Sequence, residues 1–204
     1  MQIDPSALNP KEMHKIMIGS VIPRPIAWIT STNPNGTTNL APFSFFNGVC
    51  AKPATISVSF SYNPDREDHK KDTLRNIERT GDFVINVVSE PHQQVMHNSS
   101  ANVPMDESEI EHLGLETLPS SVVKPPRLAV ARIQMECTLH QLIPVGDGPG
   151  SAILMLGRVH LIHIDDRLID NANHIDQQGV QAIGRMAGNS YCFVREIFDL
   201  GVRP

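Results

Sequence analysis

The chain has 204 residues, 40% of them apolar, and a formal net charge of −5. That supplies one sizeable core and is too apolar for a disordered chain. An acidic balance with no Lys/Arg stripe argues against nucleic acid as a partner. No apolar run approaches the length that crosses a bilayer, so no membrane association is expected. Met1 to Pro5 lacks the basic-then-apolar order of a secretory signal. Cys50, Cys137 and Cys192 are odd in number and widely spaced. Among apolar neighbours they read as buried small hydrophobes in a cytoplasmic protein, rather than as disulfides, nucleophiles or metal ligands. Nine histidines include no His-Glu-x-x-His, and no metal is expected.

Asn9 and Pro10 read as the cap and first residue of a short helix that shows Met13, Ile16 and Met17 on one face and ends at Gly19. Ile26 to Ser31 reads as a strand. Asn33-Pro34-Asn35-Gly36 is a turn, so Thr37 onward returns as a hairpin partner. The returning strand carries Asn39-Leu40-Ala41-Pro42-Phe43-Ser44-Phe45-Phe46-Asn47. That segment mixes amides and hydroxyls with three phenyl rings, a blend suited to a planar aromatic ligand with polar edges. The alternative is a strand end with its aromatics in the core.

After a turn at Ala51 to Pro53, Thr55 to Ser61 alternates as a half-buried strand, with a ladder of hydroxyls facing either solvent or a ligand. Asp72 fits the N-cap of a helix ending before Gly81, with Lys70, Lys71 and Thr73 beside its N-terminus. An anion is favoured there by the free N–H groups and the dipole, yet the Asp72 carboxylate would compete with it. Phe83 to Val88 is a buried strand, and a short helix follows to about Asn98. Residues 99 to 127 are irregular, a length typical of a lid or binding loop. Arg132 to Ile164 reads as a long hairpin turning at Gly146 to Gly150. Gly157 within it points to a bulge or the close approach of another backbone. Asp176 to Ile183 is a short helix, Arg185 to Tyr191 a Gly-broken loop, and the end is extended. Strands joined by Gly/Pro/Asn turns, with no G-x-G-x-x-G, predict a barrel or sandwich with helical additions, organised as a single domain over 1–204.

I-P-R-P-I-A-W-I-T-S (22–31), the 39–47 segment, K-D-T-L-R-N-I (71–77) and G-D-F-V-I-N (81–86) together resemble the flavin reductase-like, FMN-binding split-barrel family. Within it, the likeness is to flavoredoxin and to the flavin-reducing component of nitrilotriacetate monooxygenase. It continues through E-S-E-I-E (107–111), M-E-C (135–137), L-G-R-V (156–159), R-M-A-G-N-S-Y (185–191) and the closing V-R-P. The resemblance implies a mainly β, Greek-key split β-barrel with short peripheral helices, dimeric, holding FMN noncovalently near the subunit interface. It implies NAD(P)H as electron donor and a monooxygenase or other redox protein as partner, or else an electron carrier with tightly bound FMN. It places Thr30 and Ser31 near the flavin. Asn39, Ala41, Pro42, Ser44, Phe45, Phe46 and Asn47 would line its ring and ribityl chain, with Ser57 and Ser59 on the neighbouring strand. Lys71, Asp72 and Thr73 would hold the phosphate; Arg185 and Tyr191 would approach the flavin or seal the dimer. No catalytic side chain is expected, because hydride transfer to flavin needs no nucleophile or acid–base triad. One departure stands out. Some members of the wider family carry Gly-Asp-His near the nicotinamide; here the match is Gly146-Asp147-Gly148, with His140, His160 and His163 on the same hairpin as stand-ins.

Overall fold

The computed structural model describes residues 1–104 and 106–201, so the closing V-R-P lies outside the described residues. In chain order the strands are β1 (Ala27–Thr32), β2 (Thr38–Phe43), β3 (Phe46–Ala51), β4 (Ala54–Ser61), β5 (Asp82–Val87), β6 (Thr117–Leu118), β7 (Arg127–Leu128), β8 (Ile133–Val145), β9 (Ala152–Ile164), β10 (Ile183–Arg185) and β11 (Tyr191–Phe193). The helices are α1 (Pro10–Ser20), α2 (Asp72–Thr80), α3 (Gln93–Asn98), α4 (Glu109–His112) and α5 (Gln177–Val180). Seven strands form one antiparallel sheet in the order β2-β1-β5-β8-β9-β4-β3. Its two edge strands, β2 and β3, follow each other in the chain through Ser44 and Phe45 alone. The sheet therefore rolls into a barrel that is split at this link. Phe45 O accepts the Ser59 N–H at 2.8 Å, tying the link to β4.

The interior is filled by alternate residues of five strands: Ile29, Ile56, Val58, Phe60, Phe83, Ile85, Cys137 and Met155 among them. Helix α2 plugs it with Leu74 and Ile77, both essentially inaccessible. Its charged face stays outside, as the i, i+3 spacing of an amphipathic helix requires. Cys137 is buried as expected, and burial pushes its thiol up to about 12. Cys50 corrects the sequence reading: it lies exposed on edge strand β3, which has no neighbour on that side to cover it.

The hairpin at 33–36 and the long 132–164 hairpin form as expected. Helix α1 opens on a capping box in which Asn9 and Glu12 each satisfy the other's N–H. It runs through Gly19 to Ser20 rather than stopping at the glycine. Strand β3 was not apparent in the sequence. The polar side of β8 is not a solvent face: Gln134 and Glu136 are buried because residues 119–131 fold back over them. Asn86 of β5 joins them, accepting the Leu128 N–H at 2.9 Å and donating to Trp28 O.

Gly157 meets a side chain rather than another backbone. A Cβ there would lie 2.5 Å from the Phe83 ring and 2.9 Å from Ile56 Cδ1. The bulge lies opposite, between Leu139 and Gln141 of β8. Phe83 is fully enclosed and has nowhere to move. Gly157→Ala is therefore expected to cost about 1–3 kcal/mol, the usual penalty of overpacking, read as a lowered denaturant midpoint with unchanged slope.

Candidate functional site

Three cavities meet at the split, all of them lined by Pro42 and Phe43. The first, about 140 Å³, is bounded by Asn39, Ala41, Lys71, Asp72 and Thr73, and by Ser100, Asn102 and Glu109. The second, about 230 Å³, is bounded by Ser44, Phe45, Ser59, Lys71 and Arg185, with Arg24 and His14. The third, about 200 Å³, lies between Ser44, Met96, His97, Arg185 and Tyr191. The structure thus gathers segments far apart in sequence into one branched cleft.

The first cavity is built on the start of α2. Lys71, not Asp72, is the N-cap, with extended backbone and no side-chain hydrogen bond closing the helix end. Asp72 is instead the first helical residue, and its carboxylate pairs with Arg66 at 2.6 Å and lies 3.6 Å from Arg75. Asp72 therefore does not cap the helix, whose N–H groups stay uncapped by any side chain, but its carboxylate still borders the cavity, partly offset by Arg66 and Arg75. Asn39 donates to Thr73 Oγ1 at 2.8 Å and to Ser31 Oγ at 3.2 Å. Asn76 donates to the same Ser31 at 3.1 Å and to Asn33 at 2.8 Å. This buried network fixes the start of α2 against the β1–β2 hairpin.

Glu109, only 7% exposed, brings a second carboxylate to this cavity. It accepts the edge N–H of Leu40 at 2.8 Å. Burial nonetheless raises its pKa, outweighing that hydrogen bond.

Arg24, held between two prolines, braces the second cavity from beneath. Its guanidinium donates to Ile18 O and Val21 O, both at 2.8 Å, to Met186 O at 3.0 Å and to Ser44 Oγ at 3.4 Å. It also lies 5.6 Å from the Phe45 ring centre. Burial, and then the Arg185 charge, lower its pKa. Backbone N–H and C=O exchanges between Arg24 and Arg185, at 3.0 and 2.8 Å, bring the two side by side.

Other expected positions do not reach these cavities. Thr30 faces the opposite side of β1 and donates to Pro126 O at 2.6 Å. Ser31 lies beneath the first cavity, in the asparagine network. Phe46 packs on the barrel interior. Asn47 and Ser57, cross-strand partners on β3 and β4, line none of the three. His160 bonds Thr138 and His163 bonds Glu136, while His140 is exposed; none of these lines the cleft. Glu109, Ser100, Asn102 and His97 were missed, because they come from the irregular connection and the short helix before it, where no periodicity marks an inward face.

The comparisons agree with this architecture. Residues 18–181 match the family model described as "Flavin reductase like domain", and the chain belongs to that family. Among solved structures it is similar to nitrilotriacetate monooxygenase component B from Bacillus cereus, with 36% identity, TM-score 0.92 and 98% of each chain covered. It is also similar to the 2-nitrobenzoate 2-nitroreductase of Pseudomonas fluorescens, with 30% identity, TM-score 0.87, and 100% and 96% of the two chains covered. An uncharacterized protein of Halalkalibacterium halodurans is 39% identical over 202 residues, covering 98% of this chain and 95% of that one. The fold is the split β-barrel of the flavin reductases. Among the described residues, no helix is long and apolar enough to cross a membrane.

Proposed function

We propose that the protein binds FMN noncovalently in the branched cleft and accepts electrons onto it from NAD(P)H, as a flavin reductase that supplies a monooxygenase or another redox protein. The carrying observation is the uncapped start of α2, with Lys71 beside it, opening into a cavity continuous with the aromatic Pro42–Phe45 link. That donor set fits a phosphate at one end of a flat ligand.

On this reading, Lys71, Thr73 and the first N–H groups of α2 hold the phosphate. Asn39 keeps the Thr73 hydroxyl oriented, and Ser44, Phe45 and Ser59 flank the ring. Pro42 offers no N–H, so its part is shape and exclusion of water. Bound FMN supplies the hydride- and electron-accepting chemistry; the chain's own work is to bind, orient and shield it. Arg24 adds fixed positive charge below the cleft, which favours the anionic reduced form of a flavin.

A homodimer belongs to the same proposal. Helix α1 buries none of its residues, and its Met13 and Met17 line an open apolar hollow with the β8–β9 turn. Phe198 and Leu200 are 80% and 90% exposed. Apolar surface of that kind is normally covered by a partner. The three free cysteines suit a reducing, cytoplasmic setting, and the chain is taken to act as one domain. A second reading, a flavoredoxin-like carrier with tightly held FMN, is favoured by the missing histidine at Gly146-Asp147-Gly148.

The test is the visible spectrum of the purified protein, followed by NADH or NADPH without oxygen. Flavin bands that bleach quickly support the reductase. Bands that persist with both nucleotides favour the carrier. No flavin, even after incubation with FMN, overturns the site.

A further inference from the structure

The asparagine network beneath the first cavity extends well past the cavity wall. Thr73 and Asn76 stand three residues apart on α2 and share the face turned to the β1–β2 hairpin. Thr73 borders the cavity and Asn76 does not. Asn39 and Asn76 each spend one amide hydrogen on Ser31 Oγ, at 3.2 and 3.1 Å. Asn39 gives its other hydrogen to Thr73 Oγ1, and Asn76 gives its other to Asn33 Oδ1, both at 2.8 Å. Asn33 in turn donates to Glu107 O at 3.3 Å and to Thr37 Oγ1 at 3.0 Å. Ser31, Asn33, Asn39, Thr73 and Asn76 are all buried.

A backbone carbonyl can only accept, so Glu107 O fixes which end of the Asn33 amide is nitrogen. Asn33 Oδ1 then faces Asn76, which presents its own nitrogen. Ser31 Oγ accepts from both amides and has no lone pair left. At the far end, Thr73 Oγ1 accepts from Asn39, so its hydroxyl proton is still to be given. Among the described residues that proton has no acceptor in the chain, and an anion in the cavity supplies one. We infer that Asn76 is a positioning residue for the flavin's phosphate: through Ser31 and Asn39 it holds the Thr73 hydroxyl ready as a donor, and so favours FMN over riboflavin, which lacks the phosphate. The inference rests on the flavin reading of the cleft. Loss of Asn76 unties Ser31 and with it the Asn39 amide, so the Thr73 hydroxyl has to be ordered at the moment of binding, at a cost in affinity.

The experiment is fluorescence titration of the full chain with FMN and with riboflavin, in wild type, Asn76→Ala, Thr73→Val and the double variant. Thr73→Val is expected to weaken FMN roughly 10- to 100-fold, the loss of one hydrogen bond to a charged group. Asn76→Ala is expected to weaken FMN roughly 3- to 10-fold, the cost of ordering one side chain on binding. Riboflavin affinity is expected to stay within about twofold in both, the usual scatter of uncoupled sites. Added to Thr73→Val, Asn76→Ala is expected to cost FMN nothing more, because the hydroxyl it orients is gone. Should Asn76→Ala not fold, Asn33→Ala cuts the same tether from its other end, with the same result expected. A variant that weakens FMN and riboflavin equally, or weakens FMN further in the Thr73→Val background, has only a structural role and overturns the inference. An unchanged FMN affinity overturns it too. A wild-type chain that takes up neither flavin defeats the flavin reading itself, whereas one that prefers FMN and keeps that preference without Asn76 defeats this inference alone.

Discussion

Glu136→Gln is expected to lower the melting temperature by roughly 4–16 °C, from a loss of about 2–4 kcal/mol. The wild-type carboxylate is completely buried on the outer side of β8. Its two oxygens accept the backbone N–H groups of Ser121, Val122 and Val123 and meet His163 Nε2 at 2.6 Å. Glutamine has one acceptor oxygen for that set and turns an NH₂ toward the remaining donors. The 121–123 segment is then left with unpaired N–H groups, each of which costs free energy when sheltered from water.

The same geometry fixes the pH dependence. Burial pushes the Glu136 pKa up, but the hydrogen bonds from Ser121, Val122, His163 and Val123 together hold it below the ordinary value. A carboxyl whose folded pKa is depressed stabilises the fold above its unfolded pKa, about 4.3 for glutamate, and that contribution is lost as pH falls through the folded value. The stability gap between wild type and Glu136→Gln is therefore expected to be widest near neutrality and to narrow below about pH 4. Urea midpoints measured across pH test this. A gap that stays constant to the lowest pH defeats the charge-based account.

Glu136 also shows where a sequence stops being readable. Arg132 to His140 alternates cleanly, and the long hairpin follows from that alternation and its Gly-rich turn. Nothing in the alternation tells that the polar face is roofed by residues 119–131, because the roof is a nonlocal event of an irregular segment. The 33–36 turn and the Asn9 cap were legible because their chemistry lies within four residues. Strand β3 was hidden for the opposite reason: it is an exposed edge with Gly48 and an irregular register beside it, so neither burial nor period marks it. At the cleft, 39–47 and 71–73 stood out by composition, and the Asn39–Thr73 hydrogen bond joins them. Which residue caps α2 depended on where Asp72 finds its cations, Arg66 and Arg75, and no local pattern supplies that.

Lys71→Met and Glu109→Gln are expected to move FMN affinity in opposite directions. Both residues line the cavity proposed for the phosphate, one as a cation and one as a buried carboxyl. Removing the ammonium takes away a charge-assisted contact and is expected to weaken binding roughly 10- to 100-fold. Removing the carboxylate ends a like-charge repulsion in a sheltered site and is expected to tighten binding by roughly tenfold. Glutamine can still accept the Leu40 N–H through its one oxygen, so the edge of β2 keeps its partner. Burial raises the Glu109 pKa, so the folded protein holds that proton more tightly than the unfolded chain does. Ionising it costs stability as pH rises from the unfolded value, about 4.3, through the raised folded value, and above that the full cost remains. Glu109→Gln should therefore gain on wild type, in stability and in FMN affinity together, as pH climbs through that window. The phosphate's own second ionisation, near pH 6, strengthens binding to both proteins but more in Glu109→Gln, where no carboxylate opposes the added charge, so it widens the difference in the same direction. Fluorescence titration of FMN into the two variants and wild type at several pH values reads all of this. If Lys71→Met binds FMN as wild type does, the phosphate is not at the start of α2, and the cleft must be filled from another end.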